Sequence, residues 1–178
     1  MQDVYTAPDP LIALLFPPST SNEPATLYHH DLSSNNILVN DQGDLTGIVD
    51  WECVVASPAW LSCQIPTFLE GPSISIHAVP APLDAEALQD EDAAEAYEEQ
   101  LLGYETAQLQ RFFLEEMKRV DQVWYDTFVK ECTRRDVMVA IECVENDVWW
   151  GRIAAWAGVV VEARQPKMSL TDVMRNSE

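Results

Sequence analysis

Apolar positions recur along this chain at two periods. Between residues 26 and 50, the runs NILVN and LTGIVD are rich in β-branched and aliphatic residues and are separated by DQGD, a glycine among acids. That pattern predicts a β-hairpin turning at Asp41 to Asp44. Ahead of it, Pro10 to Phe16 reads as a short apolar helix, followed by the breaker-rich connection PPSTSNEP. From Pro58 onward the period is helical. PAWLSCQIPTFL predicts a short helix that starts with Pro just inside a Ser57 cap and is interrupted by Pro66. Residues 71–83 are rich in Gly and Pro and read as a loop. A long helix is then expected from about Glu91 to Val120, where Tyr97, Leu101, Tyr104, Leu109, Phe112, Phe113 and Met117 recur at helical spacing.

Three further helical stretches follow. DQVWYDTFVKEC, with Asp121 as its cap, gathers Val123, Trp124, Phe128 and Val129 on one side. RDVMVAIECVEN continues the pattern, and DVWWGRIAAWAGVVVEAR sets Trp149, Ile153, Trp156 and Val160 along one stripe. Large aromatics at this spacing are expected to supply buried area rather than a ligand box. The organisation expected is therefore α+β and mostly α-helical: a short helix and connection over 1–25, a folded domain over 26–165, and a flexible tail over 166–178, in which SLTDVM frays.

Composition narrows the class. An apolar fraction of 47% with six Trp belongs to a folded chain, and four Cys without a CxxC pair suggest neither a zinc knuckle nor a disulfide framework. The N-terminal apolar run lacks a basic lead and is too short for a signal peptide or membrane span, so a cytoplasmic protein is expected. The net charge is −20, and it is unevenly placed. Residues 1–110 hold eighteen of the thirty acids and no Lys or Arg, whereas all ten bases lie beyond. Such a surface repels phosphate backbones and anionic lipid, which argues against nucleic-acid and membrane partners and leaves cations, metals and amines. The acidic run LDAEALQDEDAAEAYEEQ reads more simply as a solvated helix face than as a cation site.

Chemistry concentrates at the hairpin. With the turn at Asp41 to Asp44, Asn36 falls opposite Val49 and beside Asp50, and Asp31 stands five residues before Asn36 in the loop entering the same end. An amide and two carboxylates thus converge. Hard cations such as Mg²⁺ take such oxygens and usually keep waters and substrate phosphates as their remaining ligands, whereas zinc would want His or Cys. Asp31, beside the metal, is placed to accept a proton from an attacking hydroxyl. Taken one at a time, these residues have plainer readings: Asp31 as a turn cap, Ser33 to Asn36 as loop chemistry, Asp50 as a strand end. A metal pair of His29 and His30 is disfavoured, because neighbours in an extended chain point to opposite sides.

HHDLSSNNILV followed by GIVDWE resembles the catalytic loop and metal-binding segment of the aminoglycoside phosphotransferase family, small-molecule kinases of the protein-kinase-like fold. The resemblance implies Asp31 as catalytic base, Asn36 and Asp50 as Mg²⁺ ligands facing ATP, and His29 as the loop histidine that braces the turn. His30 stands where protein kinases place Arg. WECVVASPAWLSCQIPTFL and YETAQLQRFFLEEM are similar to the fungal branch of the family.

The implied activity is transfer of the ATP γ-phosphate to a hydroxyl of a small, amine-bearing substrate. Kinases of this architecture carry a phosphate-covering loop and a lysine on an N-terminal sheet. Only thirty residues precede Asp31, and the first Lys is Lys118. The expectation is thus a C-terminal lobe alone, weak or inactive by itself. The alternative is a non-catalytic relic that serves as an interaction module, self-associating through the surface an N-terminal lobe would cover.

Overall fold

The computed structural model describes residues 8–17, 23–71, 78–84, 87–143, 147–163 and 169–175. Expectations for residues 18–22, 72–77 and 164–168, which fall in the connection, the Gly/Pro-rich loop and the start of the tail, lie outside the described residues. In chain order the elements are α1 (Pro8–Leu15), β1 (Ala25–His29), β2 (Ile37–Val39), β3 (Leu45–Ile48), β4 (Val54–Pro58), α2 (Ala59–Ser62), α3 (Glu91–Val120), α4 (Gln122–Lys130), α5 (Cys132–Glu142), α6 (Asp147–Ala163) and α7 (Leu170–Arg175). Short 3₁₀ turns lie at Ser34–Asn36, Trp51–Cys53, Thr67–Leu69 and Ala87–Gln89. The class is α+β with helix dominant. No helix among the described residues is long and apolar enough to cross a membrane.

The chain divides into two compact units, one of residues 1–26, 57–63 and 126–178, the other of residues 27–56 and 64–125. In the first, the stripe anticipated on α6 is the core: Ile153, Trp156 and Val160 are buried, and Trp149 packs against them. Leu11 from α1, Val137 and Ala140 from α5, and Leu170 from α7 close the cluster. Fully burying a side chain such as Val160 or Leu170 is worth about 1.5–3 kcal/mol. That burial is why residues 170–175 form a helix, within a stretch expected to fray. Around the core, Arg134 lies between two aromatic faces, its guanidinium 4.8 Å from the Phe16 ring centre and 4.4 Å from that of Trp60. It also pairs with Glu23 at 3.0 Å. Ser57 does not cap α2. Pro58 holds the cap position without a side-chain bond, and the Ser57 hydroxyl meets that of Ser62 at 2.5 Å.

In the second unit, β2 and β3 form the anticipated antiparallel hairpin, with Ile37 paired to Ile48, Leu38 to Gly47 and, after a bulge, Val39 to Leu45. Gly43 takes φ +84°, a left-handed conformation suited to Gly. Asn40 organises the turn, its Oδ1 accepting from the Gln42 and Asp44 amides at 3.0 and 2.8 Å. β1 and β4 pair as a separate two-stranded sheet that the sequence pattern did not anticipate at β4.

Helix α3 spans the residues expected of it and is capped by Asp90, which accepts from the Asp92 and Ala93 amides. Acids fill its first turn, and Lys118 and Arg119 its last, the arrangement that suits the helix dipole. Its buried face, however, is Gly103, Ala107 and Gln110, whereas Leu109 and Phe112 are 53% and 63% exposed. The burial expected of those two is therefore corrected. The face that packs is narrow and lined by small residues, because the chain at Gly71 runs against the helix: a Cβ on Gly71 would lie 2.7 Å from Thr106 Cγ2.

Candidate active site

The loop from His29 to Asn36 belongs wholly to the second unit, together with β2, β3 and α3. The end of β1 delivers His29, which is buried. Its Nε2 lies 2.9 Å from the Val49 carbonyl, and because a carbonyl only accepts, Nε2 carries the proton. The Trp51 ring stands edge-on to the imidazole at 5.0 Å, and Trp51 Nε1 donates to the Ile48 carbonyl at 2.7 Å. The histidine therefore ties the start of the loop to the exit of β3. His30 is exposed and faces Tyr28 instead, ring to ring at 5.9 Å.

A 3₁₀ turn then lifts the chain into β2 and buries Asn36. The side-chain Nδ2 of Asn36 donates to the Asp31 carbonyl at 2.8 Å and to Asp31 Oδ2 at 3.2 Å. Its backbone carbonyl accepts from the Val49 amide at 3.0 Å, so the hairpin pairing runs one step past β2, as the register implies. Asn36 thus touches Asp31 through its side chain and the approach to Asp50 through its backbone. Both side-chain bonds use Nδ2, which leaves the amide oxygen as the atom suited to a cation.

Asp50 follows at φ 63°, ψ 47°, the single non-glycine residue with positive φ among those described. That conformation turns the chain from β3 into the Trp51–Cys53 turn, with the carboxylate on an exposed residue that makes no capping bond. A strained residue in this position is the kind of feature that clusters at functional sites.

The oxygen types suit Mg²⁺: the Asn36 amide oxygen, and the carboxylate of Asp50 on an exposed residue. Among the described residues, no group of three or more His, Cys, Asp or Glu side chains is placed to hold a metal. A Mg²⁺ ion that retains waters and takes phosphate oxygens needs no such cluster.

The opposite side of the loop is held by residues the sequence reading did not single out. Thr67 Oγ1 donates to the Leu32 carbonyl at 2.8 Å, and Gln64 Nε2 donates to the Tyr28 hydroxyl. Burial pushes the Tyr28 phenol above its ordinary value; the Gln64 bond opposes this and the nearby Glu70 carboxylate adds to it. Behind them, the buried Gln110 donates to the Leu69 carbonyl at 2.7 Å. The one sequence signal for this wall was the spacing Gly103, Ala107, Gln110, which marks a close-approach face.

Residues 4–61 match the model of the phosphotransferase enzyme family, a span that takes in Asp31, Asn36 and Asp50. Comparison with curated proteins and with solved structures finds no significant match. Over residues 4–61 the chain is thus similar to the phosphotransferase enzyme family, and the loop and hairpin just described lie inside that segment.

Proposed function

We propose that this chain carries the catalytic loop of an ATP- and Mg²⁺-dependent phosphotransferase that phosphorylates a hydroxyl on a small, amine-bearing molecule. The contact between Asn36 and Asp31, with Asp50 one residue beyond the Val49 that pairs with Asn36, is the observation that carries the reading. In this reading Asp31 accepts the proton of the attacking hydroxyl, a contribution worth about 10²–10⁴-fold in rate. Asn36 and Asp50 hold the metal, which when bound neutralises charge on the phosphates. The Asn36 bond to Asp31 Oδ2 fixes the carboxylate, leaving its other oxygen for the acceptor hydroxyl. His29 acts through Val49, holding the turn that carries Asp50. The acid-rich first 110 residues favour an acceptor bearing an amine. With no Lys or Arg in that stretch, the cation that grips the nucleotide phosphates has to come from elsewhere.

The experiment is phosphate transfer from radiolabelled ATP with Mg²⁺ to a panel of amino alcohols, comparing wild type with Asp31→Asn. The variant is expected to lose at least a hundredfold in turnover while melting with the wild type. Equal, measurable turnover in both would remove Asp31 from the chemistry.

A second reading rests on exposed apolar side chains of the hairpin and α3, among them Val39, Leu45, Leu109 and Phe112. It makes the chain a non-catalytic interaction module in which the loop is a relic. Calorimetric titration with ATP in the presence and absence of Mg²⁺ separates the two: metal-dependent heat belongs to the first reading, and its absence to the second.

A further inference from the structure

A glutamine closes the buried face of α3, after Gly103 and Ala107. Gln110 is 5% exposed, and a buried amide costs free energy unless it is hydrogen-bonded. Its amide reaches the Leu69 carbonyl, at the end of the Thr67–Leu69 turn. Two residues earlier in that turn, Thr67 reaches the Leu32 carbonyl, immediately after Asp31. The turn is thus bonded on one side to a thirty-residue helix and on the other to the loop. Two neighbouring contacts reinforce the pair: Gly71 lies against Thr106 of α3, and Gln64 bonds Tyr28 in β1, one residue before His29.

We propose that Gln110 and Thr67 are positioning residues, a two-bond relay through which α3 fixes the backbone beside Asp31. The inference deepens the phosphotransfer reading and rests on it for its functional meaning. Neither side chain touches substrate. Each holds a carbonyl whose placement sets the direction of the Asp31 carboxylate, and misplacement by about 1 Å is enough to cost two orders of magnitude in rate. Asn36 bonds Asp31 itself from the hairpin side, so the neighbouring carbonyls of Asp31 and Leu32 are held by separate elements. Helix α3 serves as the rigid member because its cap and length make it the most continuous element of this unit.

The test uses the whole chain with Thr67→Val, Thr67→Ser and Gln110→Met, each close to the native shape. Amide hydrogen exchange is read over residues 30–36 and 66–70, and metal affinity by electron paramagnetic resonance with Mn²⁺ as the probe. Thr67→Val is expected to speed exchange over 30–36 about fivefold, the equivalent of one neutral hydrogen bond near 1 kcal/mol, with 66–70 unchanged. It is also expected to weaken Mn²⁺ binding several-fold, because the loosened loop carries Asn36, the proposed ligand bonded to Asp31, and Thr67→Ser to restore both readouts. Gln110→Met is expected to speed exchange in both segments, because it lies upstream.

Faster exchange at 66–70 alone in Gln110→Met, or an unchanged loop in Thr67→Val, overturns the relay. So does a loosened loop with wild-type Mn²⁺ affinity, which would make Thr67 merely structural. If wild type and Asn36→Ala bind Mn²⁺ equally, the phosphotransfer reading fails, and the exchange arm still decides whether α3 holds the loop.

Discussion

Asp50 lets strain and function be separated by substitution. At φ 63° and ψ 47° it sits at the centre of the left-handed helical region, which costs an ordinary L-residue about 1–2 kcal/mol and Asp or Asn somewhat less. No capping bond from the side chain offsets this. Asp50→Ala keeps the backbone penalty and loses the tolerance of a short polar side chain, so destabilisation of about 1 kcal/mol is expected. Asp50→Gly removes a strain of about 1 kcal/mol but adds about 0.5–1 kcal/mol of unfolded-state entropy, for a net change near zero. Asp50→Asn should be neutral. The order Gly ≈ Asn ≈ Asp above Ala is read from urea denaturation midpoints without metal.

Adding Mg²⁺ then separates function from fold. At ten times its dissociation constant the ion should stabilise the wild type by about 1.4 kcal/mol and leave the Gly and Ala variants where they were. If Asp50→Ala unfolds at or above the midpoint of Asp50→Gly, the positive φ is not strain. If all variants gain equally from Mg²⁺, Asp50 is not a ligand.

Two more predictions concern the first unit. Trp156 is 3% exposed and its Nε1 has no partner among the described residues, so Trp156→Phe should cost less than about 1 kcal/mol, the recovered donor of about 1–3 kcal/mol offsetting lost ring contacts. Trp156→Ala should cost about 3–5 kcal/mol in the same thermal melts. The Arg134 hydrogen bond is the main cause holding the Glu23 carboxyl below its ordinary 4.5; Trp60 adds to it and burial opposes it. A lowered folded-state value means stability that is present above pH 4.5 and lost as pH falls below it. Glu23→Gln should flatten that acid limb in melts recorded between pH 5 and about 3, and an unchanged slope would show the pair to be idle.

What could be read from sequence followed the strength of local constraint. The hairpin register was legible because DQGD admits few turns and two β-rich runs flank it, so Asn36 reached Val49 as expected. The turn was organised one residue earlier than anticipated, by Asn40, since an Asn side chain that substitutes for backbone acceptors looks like any loop polar residue. On α6 the spacing of large residues identified the core, because a helix packed by its neighbours needs a broad apolar stripe. On α3 the same rule pointed to Leu109 and Phe112, which are exposed, because the face that is buried carries Gly103, Ala107 and Gln110, with Gly71 approaching closely at Thr106. Leu170 was assigned to a frayed end for want of a long periodic run. Its burial comes from partners in α5 and α6 that no local window contains. Gln110 and Thr67 were illegible for a similar reason: their partners lie 41 and 35 residues away.

The way the loop is held bears on what it can do. The ties described for it come from donors other than Lys and Arg: the His29 imidazole, the Asn36 amide, the Thr67 hydroxyl and the Gln64 amide. No Lys or Arg precedes residue 111, so no basic side chain from that part of the chain is present to pair with Asp31 or Asp50. An arginine could have fixed the same geometry, but at 4 Å its charge would interact with a carboxylate by about 4 kcal/mol at an effective dielectric near 20, and a divalent ion would have to displace it. Ties from the amide and hydroxyl side chains give orientation without adding positive charge beside Asp31. In the proposed function such a loop would stay open to a cation, and a phosphate group would approach Asp31 and Asp50 with one accompanying it. Firm placement combined with unpaired negative charge is the physical argument that supports the proposed metal-dependent phosphate chemistry over a purely structural turn.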